Sequence, residues 1–159
     1  MVKFRETKNR LNSLKIDEIE KYVGLKFPHE YRLHLLNHNG GECEPNVFQF
    51  IENGELTESY IDTFLAIYAG SNDNLKQDID TYKIDEKRLP HRMLPIANDP
   101  GGNLICISCE GNDNGRIYFW DHENEVDYSV SPDNDYSNLY IIANTFDEFI
   151  NGLQKDLSL

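Results

Sequence analysis

The chain has 159 residues, with 28 acidic against 15 basic side chains for a formal net charge of −13, and is 39% hydrophobic with 9 Tyr, 8 Phe and one Trp. That is the size of one ordinary domain, with enough apolar content to bury a core without a disulfide or metal staple. The charge argues against nucleic acid and against an anionic membrane surface, both of which call for basic side chains, and favours basic partners.

Solubility alone is the other reading of that charge. It is unevenly placed: residues 1–32 hold 8 basic and 5 acidic side chains, whereas residues 33–159 hold 7 basic and 23 acidic. Between Met93 and Gln154 the one basic side chain besides histidine is Arg116. No segment approaches the roughly 20 apolar residues of a membrane span. The opening MVKFRETKNRLNSL lacks the apolar stretch and cleavage site of a secretory signal. Three cysteines, Cys43, Cys106 and Cys109, are an odd number and too few for a disulfide scaffold. The expectation is a cytoplasmic protein with reduced thiols.

Asp17 with Glu20 three residues on reads as a capping box. Ile19, Tyr22 and Val23 form an apolar stripe that Gly24 ends. A second helix starts at Pro28, buries Tyr31, Leu35 and Leu36, and stops at Asn39-Gly40-Gly41. Val47-Phe48-Gln49-Phe50-Ile51 reads as a strand. Tyr60 to Ala69 reads as a helix with Ile61, Phe64, Leu65 and Tyr68 on one face. Asn74 to Ile84 reads as another, through Leu75, Ile79 and Tyr82. After Pro95 the pattern changes. Asn103 to Cys109 and Arg116 to His122 are strand candidates around the turn Gly111-Asn112-Asp113-Asn114-Gly115. Glu125 to Val130 is a third strand and Leu139 to Ala143 a fourth. Thr145 and Glu148 box a last helix lined by Phe146, Phe149, Ile150 and Leu153. Helices, then a meander, then a helix predict a single α+β domain with a mainly antiparallel sheet.

The chemistry-bearing residues make no recognisable catalytic centre. Cys106 and Cys109 form C-x-x-C within a strand, where positions i and i+3 face opposite ways, so they read as core thiols. Zinc would need two further ligands. Glu110-x-Asn112-x-Asn114-Gly115 with Asp121 faintly imitates a calcium loop, but strands flank it and a hairpin turn is the simpler reading. Asp133-Asn134-Asp135 likewise reads as a polar loop. His34 and His38 stand i,i+4 on one helix, yet Leu35 sits where a zinc protease needs its glutamate. His122 beside Asp121, with Ser129 and Ser131 nearby in sequence, gives no triad geometry because adjacent strand residues face apart. Gly101-Gly102 precedes a strand rather than a helix and so is no phosphate loop. Neither a metal nor a cofactor is implied.

Tyr118-Phe119-Trp120-Asp121-His122-Glu123 is the most unusual stretch. Ile117 and Phe119 suit the core. Tyr118 and Trp120 share the other face, where Trp120 either fills a pocket or stands at a binding surface. Asp121, Glu123, Glu125 and Asp127 alternate, and a turn near Glu123-Asn124 would cluster them at a sheet end. Clustered like charges cost stability, which marks a surface for a basic partner.

The chain resembles the SMI1/KNR4 family, or SUKH superfamily, in an ordered series of short motifs. They are Gly24-Leu25-Lys26-Phe27-Pro28-x-x-Tyr31, Leu35-Leu36-Asn37-x-Asn39-Gly40-Gly41, Leu94-Pro95-Ile96-Ala97-Asn98-Asp99, Gly102-Asn103-x-Ile105-Cys106-Ile107 and Gly115 through Glu123. The ending Ile142-Ala143-x-x-Phe146-x-x-Phe149-Ile150-x-x-Leu153 completes them. They span about Asp17 to Leu153. Phe27 departs from the leucine common before the proline.

The resemblance implies a non-catalytic binding role. Bacterial members look like immunity proteins that bind and block a cognate toxin, frequently a nuclease. The nearest likeness is to Bacillus-type antidotes of LXG-type toxins. Fungal members look like regulators of cell-wall synthesis and signalling, which gives a regulatory scaffold as the alternative; a small enzyme with an unrecognised site is another. A nuclease cleft is basic, so an acidic decoy could associate quickly and occlude it. The expected surface draws on Asp121, Glu123, Glu125, Asp127, Asp133 and Asp135, with Tyr118 or Trp120 as an aromatic anchor if exposed. Glu42, Glu44, Glu52 and Glu55 are the second choice.

Overall fold

The structure, a computed structural model, describes residues 1–157. Its larger sheet has five antiparallel strands in the order β5 (Thr63–Phe64), β6 (Met93–Asn98), β7 (Leu104–Ser108), β8 (Ile117–Trp120) and β9 (Leu139–Ala143). Two strand pairs stand outside it: β1 (Lys3–Arg5) with β2 (Glu42–Glu44), and β3 (Val47–Glu52) with β4 (Glu55–Tyr60). The helices are α1 (Ser13–Val23), α2 (His29–Asn37), α3 (Leu75–Asp78) and α4 (Phe146–Asn151). This is the expected α+β architecture.

Helix α1 starts one turn earlier than Asp17 predicts. Asn12 is its cap, its Oδ1 accepting from Lys15 N at 3.1 Å, so Asp17 lies inside the helix. Glu20 closes no box. It is buried and accepts from Phe27 N at 2.7 Å and from Arg32 Nη1 at 2.9 Å, tying α1 to the start of α2. Gly24 ends α1 at φ 75, the left-handed position that favours glycine. Pro28 caps α2, one residue before its first turn. Thr145 caps α4, its Oγ1 accepting from Glu148 N at 3.1 Å. The return bond from Glu148 goes to Asn144 N rather than to the cap.

Two expected elements are absent. Tyr60 to Ala69 is no helix: Tyr60 ends β4, and Thr63–Phe64 pairs with β6. Ile61, Phe64 and Leu65 are all buried, but from extended chain enclosed on both sides, a pattern whose spacing mimics a helix. Asn39 pins the segment beyond, accepting from Ile67 N and donating to Ile67 O, each at 2.9 Å. Glu125 to Val130 is no strand either. There Asp127 Oδ1 accepts from Ser129 N at 2.9 Å, one of the local side-chain bonds that compete with a ladder. Residues 74–85 are helical as expected, though α3 opens into a π-helical stretch at Ile79–Asp85.

Alternation along the sheet separates two cores. Ile105, Ile107, Ile117 and Phe119 face the larger one, with Ile16, Tyr31, Leu35, Phe48, Phe50 and Phe149. Leu104, Cys106, Tyr118 and Trp120 face the smaller one, with Leu89, Met93 and Leu139.

Candidate partner-binding surface

Strand β8 decides the fate of the expected aromatic anchor. Tyr118 is 3% exposed and Trp120 is 0% exposed, so neither can meet a partner. The face that carries them is roofed by the chain after α3. The Tyr82 ring packs edge-on against Trp120 at 5.6 Å, and the Arg88 guanidinium lies 4.9 Å above the indole. Among the described residues the Trp120 Nε1 has no hydrogen-bond partner, which suits a ring held by packing. Beside it, Asp113 is a buried hub. Its carboxylate accepts from Ser108 Oγ at 2.8 Å, Tyr118 Oη at 2.7 Å and Tyr136 Oη at 2.8 Å. Burial would raise the Asp113 pKa, but these three donors and Arg92 outweigh it and hold the carboxyl below its ordinary value. The calcium-like turn thus points its carboxylate inward to fasten the loop that follows β8.

The expected acidic row is broken into separately employed groups. Asp121 is buried and caps a short 3₁₀ turn at His122–Asn124, accepting from Glu123 N at 2.9 Å and Asn124 Nδ2 at 2.6 Å. Glu125 pairs with Arg88. Asp133 accepts from the His91 backbone N–H and lies 3.7 Å from Arg92 Nε. Asp127 and Asp135 close local turns with Ser129 and Ser137, and those hydrogen bonds lower the pKa of both carboxyls. Glu123 is exposed. The cations that answer the loop come from Arg88 and Arg92, just ahead of the stretch that reads as unrelieved acid in the sequence.

The second-choice carboxylates divide. Glu42 pairs with Arg5 at 2.8 Å on the exterior, and Glu44 is exposed beside it. Glu52 and Glu55 flank the tip of the β3–β4 hairpin as directly opposed residues. Burial, and after it the charges of Glu52 and Asp121, raise the Tyr140 pKa, and the Tyr140 ring lies 5.8 Å from Phe50 of the hairpin.

Among the described residues no group of three or more His, Cys, Asp and Glu side chains could hold a metal ion, and no helix is long and apolar enough to cross a membrane. All three cysteines are free and buried. Cys106 lies in the smaller core and Cys109 in the larger, the opposite facing expected from their spacing. Burial pushes the Cys109 and Cys43 thiols up to about 12. His34 and His38 serve packing: Phe4 stacks on His38 at 4.2 Å and meets His34 edge-on at 5.0 Å. His122 turns its Nδ1 to Asn103 Oδ1 at 2.6 Å and is no partner of a nucleophile.

Sequence reasoning missed the outer face of the β3–β4 hairpin. Ile51, Leu56 and Tyr60 stand there 56%, 61% and 41% exposed. The signal was available: Asn53-Gly54 between two alternating runs is a strong hairpin mark.

The SMI1 / KNR4 family (SUKH-1) model matches residues 11–152. The chain is similar to a Bacillus subtilis (strain 168) protein described as SPbeta prophage-derived uncharacterized protein YokK. The two are 34% identical over 149 residues, which is 85% of this chain and 70% of the relative. This α+β domain belongs to the SMI1/KNR4 (SUKH) family.

Proposed function

We propose that the protein is an immunity protein that binds a cognate protein toxin, basic and a nuclease of the LXG or a related polymorphic type, and blocks it in the cytoplasm without catalysis. The observation that carries this reading is the charge of a family member: 7 basic against 23 acidic residues from Leu33 onward. A toxin cleft that grips phosphate is basic, and a field of this sign speeds its encounter with the antidote. The exposed carboxylates at Glu123, Glu125 and Asp127, with the half-buried Asp133 and Asp135, supply the steering.

Co-expression with the products of neighbouring genes is the test. The expected outcome is capture of one product that is toxic alone and harmless with this chain. Stable binding to several endogenous proteins, with no rescue from any toxic product, would replace the immunity reading with that of a regulatory scaffold. Rescue that survives reversal of the loop carboxylates to lysine would keep the immunity role and move the contact elsewhere.

A further inference from the structure

Strand β4 carries an unfilled place for another strand. The β3–β4 hairpin forms a sheet of its own. Its inner face, Phe48 and Phe50, packs on Phe119, Phe149 and Tyr140. Its outer face pairs Val47 with Tyr60, Gln49 with Glu58 and Ile51 with Leu56. The β3 edge is already occupied at Val47, which exchanges backbone hydrogen bonds with Gln154 in both directions at 2.9 Å. No strand lies on the far side of β4 among the described residues.

The phase of the ladder shows which groups face outward. Ile61 N donates to Asn46 O at 2.9 Å, and bonded and non-bonded pairs alternate along an antiparallel ladder. Glu55, Thr57 and Ser59 therefore turn their backbone groups to β3. Leu56, Glu58 and Tyr60 turn theirs outward, and among the described residues these three make no backbone bond to any other segment. The same three residues place their side chains on the exposed face. An exposed edge with apolar side chains is a template for pairing.

Charge selects the occupant. A second copy that set Leu56 against Tyr60 would bring Glu58 opposite Glu58, and like charges directly opposed are destabilising. Glu52 and Glu55 at the tip, within a chain of net charge −13, add to that repulsion. A strand of the opposite sign meets no such barrier.

We propose that the β4 edge at Leu56, Glu58 and Tyr60 accepts an extended segment of the partner protein in the pattern apolar-x-Lys/Arg-x-apolar, by strand addition. The apolar residues lie against Leu56 and Tyr60, and the cation beside Glu58. The immunity reading supplies only the identity of this partner.

The test needs no toxin. Its probe is the capped heptapeptide Thr-Val-Thr-Lys-Thr-Val-Thr, titrated into the isotope-labelled full chain and followed by backbone amide shifts and hydrogen exchange. The expected result is shift changes and slowed exchange at Leu56, Glu58 and Tyr60. Replacing the peptide lysine by glutamate weakens binding about fivefold, and Glu58→Lys reverses that preference. Leu56→Pro removes an outward N–H while sparing every bond to β3, a site where a sheet tolerates proline, and weakens binding about tenfold. Circular dichroism checks that both variants fold, and Glu58→Lys decides the matter if the proline variant does not. Shifts confined to the loop at Asp121–Asp135, an absence of shifts, binding indifferent to the sign of the peptide charge, or peptide-free dimerisation through β4 would each overturn the proposal. A silent peptide leaves the immunity reading standing, whereas failure to capture any toxin leaves the peptide result untouched.

Discussion

On one face of the five-stranded sheet, Ile105, Ile107, Ile117 and Phe119 meet helices and a hairpin that bring mostly aliphatic and aromatic side chains. On the other, Cys106, Tyr118 and Trp120 meet Tyr82 from the π-helical stretch and otherwise irregular chain, which brings Arg88, Tyr136 and the buried Asp113 carboxylate. The contrast follows from backbone accounting. A helix satisfies its own peptide groups and can offer an apolar stripe. Irregular chain has fewer internal ladders, so side-chain hydrogen bonds must fix its course. The first face is bound by packing, the second by packing together with a polar network, and the two should respond differently to mutation and to acid.

The largest effect is expected on the packed face. Phe149 is buried among Phe48, Phe64 and Phe146, and Phe149→Ala should cost about 3–5 kcal/mol in denaturant unfolding. A loss below about 1 kcal/mol would contradict the packing assigned to α4. On the networked face, Asp113→Ala should cost about 2–3 kcal/mol, because it orphans the Ser108, Tyr118 and Tyr136 hydroxyls. Near-ultraviolet dichroism should register the loosened Tyr118 and Tyr136, while the far-ultraviolet helix signal stays.

Acid separates the faces by the pH range of their titrations. His34, against Phe4, Phe64 and Phe146 with His38 one turn on, is held by burial and then by His38 at a pKa of about 3, down from 6.5. The unfolded chain takes up this proton below 6.5 and the folded chain does not, so stability falls as pH drops across that interval. Between pH 7 and pH 5 the loss should be about 2 kcal/mol by denaturant midpoint, and His34→Leu should flatten it. Asp113 acts lower: its depressed pKa gives stability that is complete above the ordinary carboxylate range and lost as pH falls through the folded value. The Asp113→Asn profile should therefore lie below the parent at pH 6 and converge on it in strong acid, and a variant that matches the parent at pH 6 would reverse the assignment. The smallest effect belongs to Arg88→Met, which keeps an apolar stem over Trp120 but loses the cation and its partly exposed pairs with Glu86 and Glu125. The cost should be about 0.5–1 kcal/mol by thermal or denaturant unfolding.

Much of the packed face was legible in the sequence. Tyr31, Leu35, Phe146 and Phe149 recur at helical spacing, and β7 and β8 stand on either side of a glycine-bounded turn. The networked face was far less so. Trp120 reads as core or as an anchor, because alternation says which residues share a face but not what roofs that face. Asp121 through Asp135 read as a free acidic cluster, because Arg88 and Arg92 are close only after the chain folds back. The hairpin edge was missed although Asn53-Gly54 announced it, since the apolar spacing from Tyr60 onward imitated a helix.

Local grammar by itself determined the α+β class, the segments that carry α1 to α4, the meander strands β7, β8 and β9 and the acid excess, because caps, turns and periodicity act between near neighbours, whereas β6 went unread. Only the tertiary structure decided that Trp120 is sealed, that most of the loop carboxylates are engaged, and that β4 ends the hairpin with an open edge. Each depends on which distant segment arrives at a given face. That is set by the burial of the whole chain at once, which no local window of sequence contains.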